Sequence, residues 1–127
     1  MFAFGRVLEA SGGPVRGIEL DVRLTRDRQV VVFHDASLYR LAGRWHRVAR
    51  TGYPALRHAL QDNPRFHGHH IPLLAELLAS VAHKLLVNIE LKHHRGDPAP
   101  LCRALADILR DYRPQDDVIV SGFSAGA

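Results

Sequence analysis

The residues best placed for chemistry in this sequence are acids that recur at two-residue spacing inside apolar runs. In GIELDVRL, Gly17 to Leu24, Glu19 and Asp21 alternate with Ile18, Leu20, Val22 and Leu24. In LVNIELK, residues 86–92, Asn88, Glu90 and Lys92 alternate with Val87, Ile89 and Leu91. A strand sends successive side chains to opposite faces, so each run carries one apolar face and one charged face. Glu19 and Asp21 lie roughly 7 Å apart along such a strand. If Glu90 converges on them, the three carboxylates repel one another unless a cation compensates. Three hard oxygen donors suit Ca²⁺ or Mg²⁺ rather than zinc. Lys92, on the same face as Glu90, offers a positive charge to a substrate anion. The alternative for each acid is an ordinary salt bridge to Arg23, Arg26 or Lys92. His34 ends the run VVVFHD and supplies a proton carrier near neutral pH, with Asp35 beside it for orientation. Its alternative is a packing or surface histidine.

The elements that must position these groups read as follows. Phe4, Val7 and Leu8 have helical spacing ahead of Gly12 and Gly13. The first acidic strand then runs over 17–24, a polar turn over 25–29, and a short β-branched run over 30–33. Residues 36–70 hold Gly43, Gly52, Pro54, Pro64 and Gly68 with a weak helical pattern near 56–60. They read as an irregular insertion. Pro72 opens a helix to Val81, with Leu73, Leu74, Leu77 and Leu78 on one stripe. The second acidic strand spans 85–92. Asp97 and Pro98 start a helix running to Leu109, and Val118–Val120 forms a further strand. This alternation is that of an α/β protein with a parallel sheet. At 127 residues the chain is about half of what a (β/α)8 barrel needs, so it is either a smaller doubly wound sheet or part of a barrel.

Composition narrows the partners. The formal charge is +4, largely from arginine, alongside nine histidines, a balance that favours anionic partners. No dense basic block interleaves with aromatics, so nucleic acid is not the expected ligand. No apolar run reaches the ~20 residues of a membrane span, and the N-terminus does not read as a signal peptide. A cytoplasmic location is the expectation. Cys102 stands alone and is expected as a small buried residue on its helix's apolar side. The cluster His67, His69 and His70 lacks metal-site spacing and reads as a solvated loop.

The runs IELDVRLTRDRQVVVFHD, IPLLAELL, NIELK and VIVSGFS, in that order, resemble the glycerophosphodiester phosphodiesterase family. The resemblance covers most of the chain and is weakest over residues 44–70. It implies a partial (β/α)8 TIM-type barrel with parallel strands, as one incomplete domain over residues 1–127. It implies hydrolysis of a small-molecule glycerophosphodiester to glycerol 3-phosphate and an alcohol, with a divalent cation. Glu19, Asp21 and Glu90 match metal-ligand positions, His34 one of two catalytic histidines, and Lys92 a phosphate-binding position.

Several departures accompany the resemblance. The family's opening His-Arg-Gly strand and its Pro-Glu-Asn-Thr segment are absent. With them go the first catalytic histidine, its arginine neighbour and a fourth acidic ligand. The chain reads as truncated at both ends, with impaired catalysis, and as a polypeptide that self-associates or lacks the remainder of a barrel. The alternative is a non-catalytic relative acting as an anion- or metal-binding module. Arg28 stands where a glycine commonly makes the turn, and Leu73 where a threonine would cap the next helix. Each is expected to cost on the order of 1 kcal/mol.

Overall fold

A computed structural model of the chain describes residues 16–61, 63–66, 68–81, 84–93, 96–114 and 117–122. The expected helix near Phe4 and Val7, and His67, lie outside them. Strand β1, Gly17–Leu24, forms where the alternating run predicts. Its Leu20 and Val22 side chains are fully buried, while Glu19, Asp21 and Arg23 take the other face. The polar turn over 25–29 closes through Thr25, whose N–H donates to the Gln29 carbonyl and whose hydroxyl accepts from the Gln29 N–H, each at 2.9 Å. Arg28 sits in this turn at φ 61°, the left-handed region that favours glycine.

Strand β2, Val30–Val32, follows. It departs from the all-parallel expectation by pairing antiparallel to β1, Val22 opposite Val32. The reason is the length of the link: residues 25–29 can close a hairpin, whereas a parallel crossover needs a dozen residues or more. The other pairs are parallel as expected. Strand β3, Leu86–Leu91, lies beside β1, and β4, Val118–Gly122, beside β3, giving the order β2-β1-β3-β4 among the described residues. At the β4 edge Ile119 and Val120 remain exposed.

Residues 36–70 correct the expectation of an irregular insertion. Helix α1, Tyr39–Ala42, and α2, Tyr53–Gln61, form there with 3₁₀ turns at Val48–Arg50 and Pro64–Phe66. Together they enclose a core of Val31, Leu38, Val48, Tyr53, Leu56, Leu60 and Ile71. Pro54 falls in the first turn of α2, where its missing N–H is no loss. The cap of α2 comes from a distant segment. Asp27, in the β1–β2 turn, accepts the Tyr53 N–H through both carboxylate oxygens at 3.0 and 3.1 Å. The cap does not show as a local helix signal, because it comes from 26 residues away in sequence.

Helix α3, Leu74–Val81, begins two residues after Pro72. The intervening backbone serves β2 instead: the Pro72 carbonyl accepts from Val32 N–H at 3.0 Å, and Leu73 bridges Val31. Half a capping box survives, with Leu73 N–H donating to Glu76 Oε2 at 3.1 Å. Helix α4, Ala99–Tyr112, is opened by Asp97, whose carboxylate accepts the Ala99 N–H. It runs past Leu109 and stops at Arg113, a left-handed residue at φ 53°. The lack of a glycine there explains why the sequence places the end early. Leu74, Leu77, Leu78 and Val81 of α3 and Leu101 and Leu105 of α4 cover the apolar face of the sheet, against Leu20, Val22, Val87 and Ile89. Val30 belongs to this core and Val31 to the second one, which is why β2 is valine throughout. Cys102 is exposed, contrary to expectation. The buried stripe of α4 runs through Leu101 and Leu105, and Cys102 is turned about 100° from Leu101 around the helix. No helix among the described residues is long and apolar enough to cross a membrane.

Candidate metal centre

Parallel pairing of β1 with β3 decides where the acids go. The register sets Asp21 opposite Glu90 and Glu19 opposite Asn88. Strand neighbours lie about 4.8 Å apart, so Asp21 and Glu90 are lateral partners and Glu19 is one pleat back on the same face. One carboxylate oxygen from each of Glu19, Asp21 and Glu90 lies within 4.8 Å of the others. Asp21 and Glu90 are mostly covered, with side chains 18% and 16% exposed, while Glu19 is open to solvent.

Lys92 follows β3 and folds its ammonium back over this cluster. It donates to Glu90 and lies 3.3 Å from Asp21 Oδ1. The hydrogen bond to Glu90 holds the ammonium above its ordinary range against the cost of burial, with Asp21 adding to the effect. The salt-bridge alternative is therefore realised for Lys92, which pairs with two of the three acids. It does not exhaust them. Each carboxylate offers two oxygens, and Lys92 engages one on Asp21 and one on Glu90, leaving their second oxygens and both of Glu19. An all-oxygen, partly solvated donor set of this kind fits a hard divalent cation and does not fit zinc, which prefers nitrogen and sulfur.

His34 arrives from the other side of β1. Phe33 N–H donates to the Asp21 carbonyl at 2.8 Å, which ends the β1–β2 ladder and projects the next residue beyond it. The imidazole Nδ1 lies 2.8 Å from Asp35 Oδ1, and Asp35 Oδ2 accepts from Arg40 Nε at 2.7 Å. The Arg40 hydrogen bond, then that of His34, holds the Asp35 carboxyl below the usual carboxylate range against the cost of burial. An ionised carboxylate only accepts, so Nδ1 is the protonated nitrogen and Nε2 is the one free to exchange a proton. The ring is 66% exposed and so accessible to a substrate.

Glu19, Asp21, Glu90 and Lys92 thus come together, with His34 carried on the adjoining strand end. Arg23 was legible only as a salt-bridge partner, and Arg40 gave no signal, because its link to Asp35 depends on the turn of α1. A cleft of about 500 Å³ opens beside Lys92, lined among others by Arg23, Trp45, Arg47, His93 and Asp97. Its lining brings further cations, Arg23 and Arg47, to the cleft that Lys92 borders.

Comparisons with known proteins bear on the family and the fold. The model of the Glycerophosphoryl diester phosphodiesterase family matches residues 6–127. A glycerophosphodiester phosphodiesterase of Caldanaerobacter subterraneus is 31% identical over 126 residues, covering 96% of this chain and 51% of that protein. The crystal structure of a glycerophosphodiester phosphodiesterase from Thermotoga maritima superposes with TM-score 0.75 at 28% identity, over 97% of this chain and 46% of that one. An Oleispira antarctica phosphodiesterase, solved in complex with the product sn-glycerol-3-phosphate, gives TM-score 0.80 at 25% identity, over 97% and 51%. The chain spans about half the length of these relatives, and its sheet and helices correspond to part of their TIM-barrel fold. By its sequence over residues 6–127 and by its fold, the chain belongs to the Glycerophosphoryl diester phosphodiesterase family.

Proposed function

We propose that this chain carries the metal-binding half of a site that hydrolyses glycerophosphodiesters to glycerol 3-phosphate and an alcohol. The observation that carries the reading is the meeting of three carboxylate oxygens within 4.8 Å beside the Lys92 ammonium. Glu19, Asp21 and Glu90 would hold a divalent cation, Ca²⁺ or Mg²⁺. Such an ion, when bound, polarises a phosphoryl oxygen and acidifies an attacking hydroxyl. Lys92 is the residue that meets a non-bridging phosphate oxygen and offsets charge as it develops there. His34 Nε2, its tautomer set by Asp35, moves a proton to or from an ester or attacking oxygen. The sequence given carries one of the two histidines that the family pattern implies.

The test is release of glycerol 3-phosphate from glycerophosphocholine by the purified chain with Mg²⁺ or Ca²⁺. Metal-dependent release that Glu90→Ala abolishes supports the reading. Release that persists in Glu90→Ala, or in chelator, overturns it.

A further inference from the structure

Both residues expected to act on the substrate sit just past the end of a strand, where the ladder no longer supplies partners for their carbonyls. Phe33 N–H to the Asp21 carbonyl is the last bond on the β2 side of β1. Lys92 N–H to the Val22 carbonyl at 3.0 Å is the last on the β3 side. Beyond these points one strand turns into the insertion and the other into the segment before α4. The Lys92 carbonyl is part-buried and needs a donor; the His34 carbonyl is exposed, where water competes with any protein donor.

Arg23 supplies it for both. It lies on β1, the strand between the other two, on the same face as Glu19 and Asp21. Its Nε and Nη2 donate to the His34 carbonyl at 2.9 and 2.7 Å. Its Nη1 donates to the Lys92 carbonyl at 3.2 Å. One planar fork therefore extends the hydrogen-bond ladder by a residue on each flank of β1. We propose that Arg23 is a positioning residue that fixes His34 and Lys92 relative to one another across the acid cluster. Lysine cannot replace it, because an ammonium is a single centre and lacks the rigid fork that spans two carbonyls on opposite sides. The functional consequence rests on the proposed hydrolysis, since it is the separation of proton carrier and phosphate cation that Arg23 sets. The positioning itself does not depend on turnover.

Amide hydrogen exchange of the unmodified chain, R23K and R23Q, followed by NMR, separates the two. Exchange at Phe33 and Lys92 is expected to rise about tenfold in R23K and R23Q, while Val87 and Ile89 in the core of the sheet change less than twofold. R23Q is measured alongside so that failure of one variant to fold leaves the other to decide. With glycerophosphocholine at saturating Mg²⁺, kcat is expected to fall about 10–100-fold in R23K, the scale of a misplaced reacting group. Mg²⁺ affinity should change less than twofold, because the acids are held by the β1–β3 ladder. Unchanged exchange at both amides, a change at only one, or an equal rise at every amide overturns the role assigned to Arg23. Absence of turnover in the unmodified chain counts against the proposed hydrolysis and leaves the exchange result to decide on Arg23.

Discussion

Arg28→Gly tests whether the hairpin that carries Asp27 and leads to His34 is held under backbone strain. Arg28 has φ 61°, where an L residue brings its Cβ against the following carbonyl oxygen. The cost of that conformation is about 1–2 kcal/mol. Arg28 is exposed, so removing its side chain forfeits little packing. Glycine relieves the strain but loses more freedom on folding, which returns about 0.5–1 kcal/mol. The difference is a net stabilisation of about 0–1.5 kcal/mol, with about 0.75 kcal/mol at its centre. For a chain between the sizes for which about 2–4 and 4–8 °C per kcal/mol apply, the central value corresponds to a rise of about 2–5 °C in Tm. Differential scanning calorimetry and urea unfolding with unchanged m-value would measure it. Arg28→Ala is the control, because alanine keeps the strained Cβ and should leave stability within about 0.5 kcal/mol of the parent. Equal effects of glycine and alanine, or destabilisation by glycine, would refute the strain argument.

Two further perturbations concern the groups that tie the insertion and the histidine to the sheet. Burial alone pulls the Asp27 carboxyl upward, but hydrogen bonds from Thr25 and Tyr53 N–H outweigh it and set the group below its ordinary value. Its contribution is thus fully present above about pH 4 and is lost as pH falls through the depressed value. Asp27→Ala should cost about 1 kcal/mol at neutral pH, the worth of a helix N-cap, and flatten the acid limb of a pH–stability curve; an unaltered curve would count against the tertiary cap. Asp35→Asn leaves one acceptor oxygen for two partners; Arg40 can only donate and takes it, so the amide NH₂ faces His34 Nδ1 and selects the other tautomer, which should lower kcat by about 10²–10⁴ if His34 transfers a proton. Its exposed ion pairs contribute little to folding, so Tm should hold; unchanged kcat would remove His34 from the mechanism.

The parts of the fold written in local periodicity could be read directly. Alternation points to both acidic strands, over 17–24 and 85–92, and to their charged faces, and the apolar stripe of Leu73, Leu74, Leu77 and Leu78 points to α3, though two residues early at Pro72. Part of what escaped depended on partners far along the chain. Helix α2 is capped by Asp27 across 26 residues, and its apolar positions face a core that it shares with Val31 and Ile71. The C-terminus of α4 lies at a left-handed arginine rather than a glycine, so composition did not mark it. Cys102 was assigned to the wrong side because it neighbours Leu101 in sequence, whereas the covered stripe passes through Leu105. Antiparallel β2 followed from the short link over 25–29, a constraint of length that residue types alone do not express.

The acid cluster was legible for a simpler reason. Acids at i and i+2 on one strand share a face whatever the tertiary fold, and only the register with β3 remained to be supplied. Asp21 opposite Glu90 is that register. Arg23 shares the same face by the same rule, but its link to two carbonyls beyond the strand ends needs coordinates.

Whether those three acids bind a hard cation decides the proposed function. Calorimetric titration of Mg²⁺ and Ca²⁺ into the purified chain, and into Glu19→Gln, Asp21→Asn and Glu90→Gln, tests it without requiring turnover. One ion bound per chain, with affinity lowered at least tenfold by each substitution, is the predicted result. Binding that survives all three substitutions, or no binding by the unmodified chain, would contradict it.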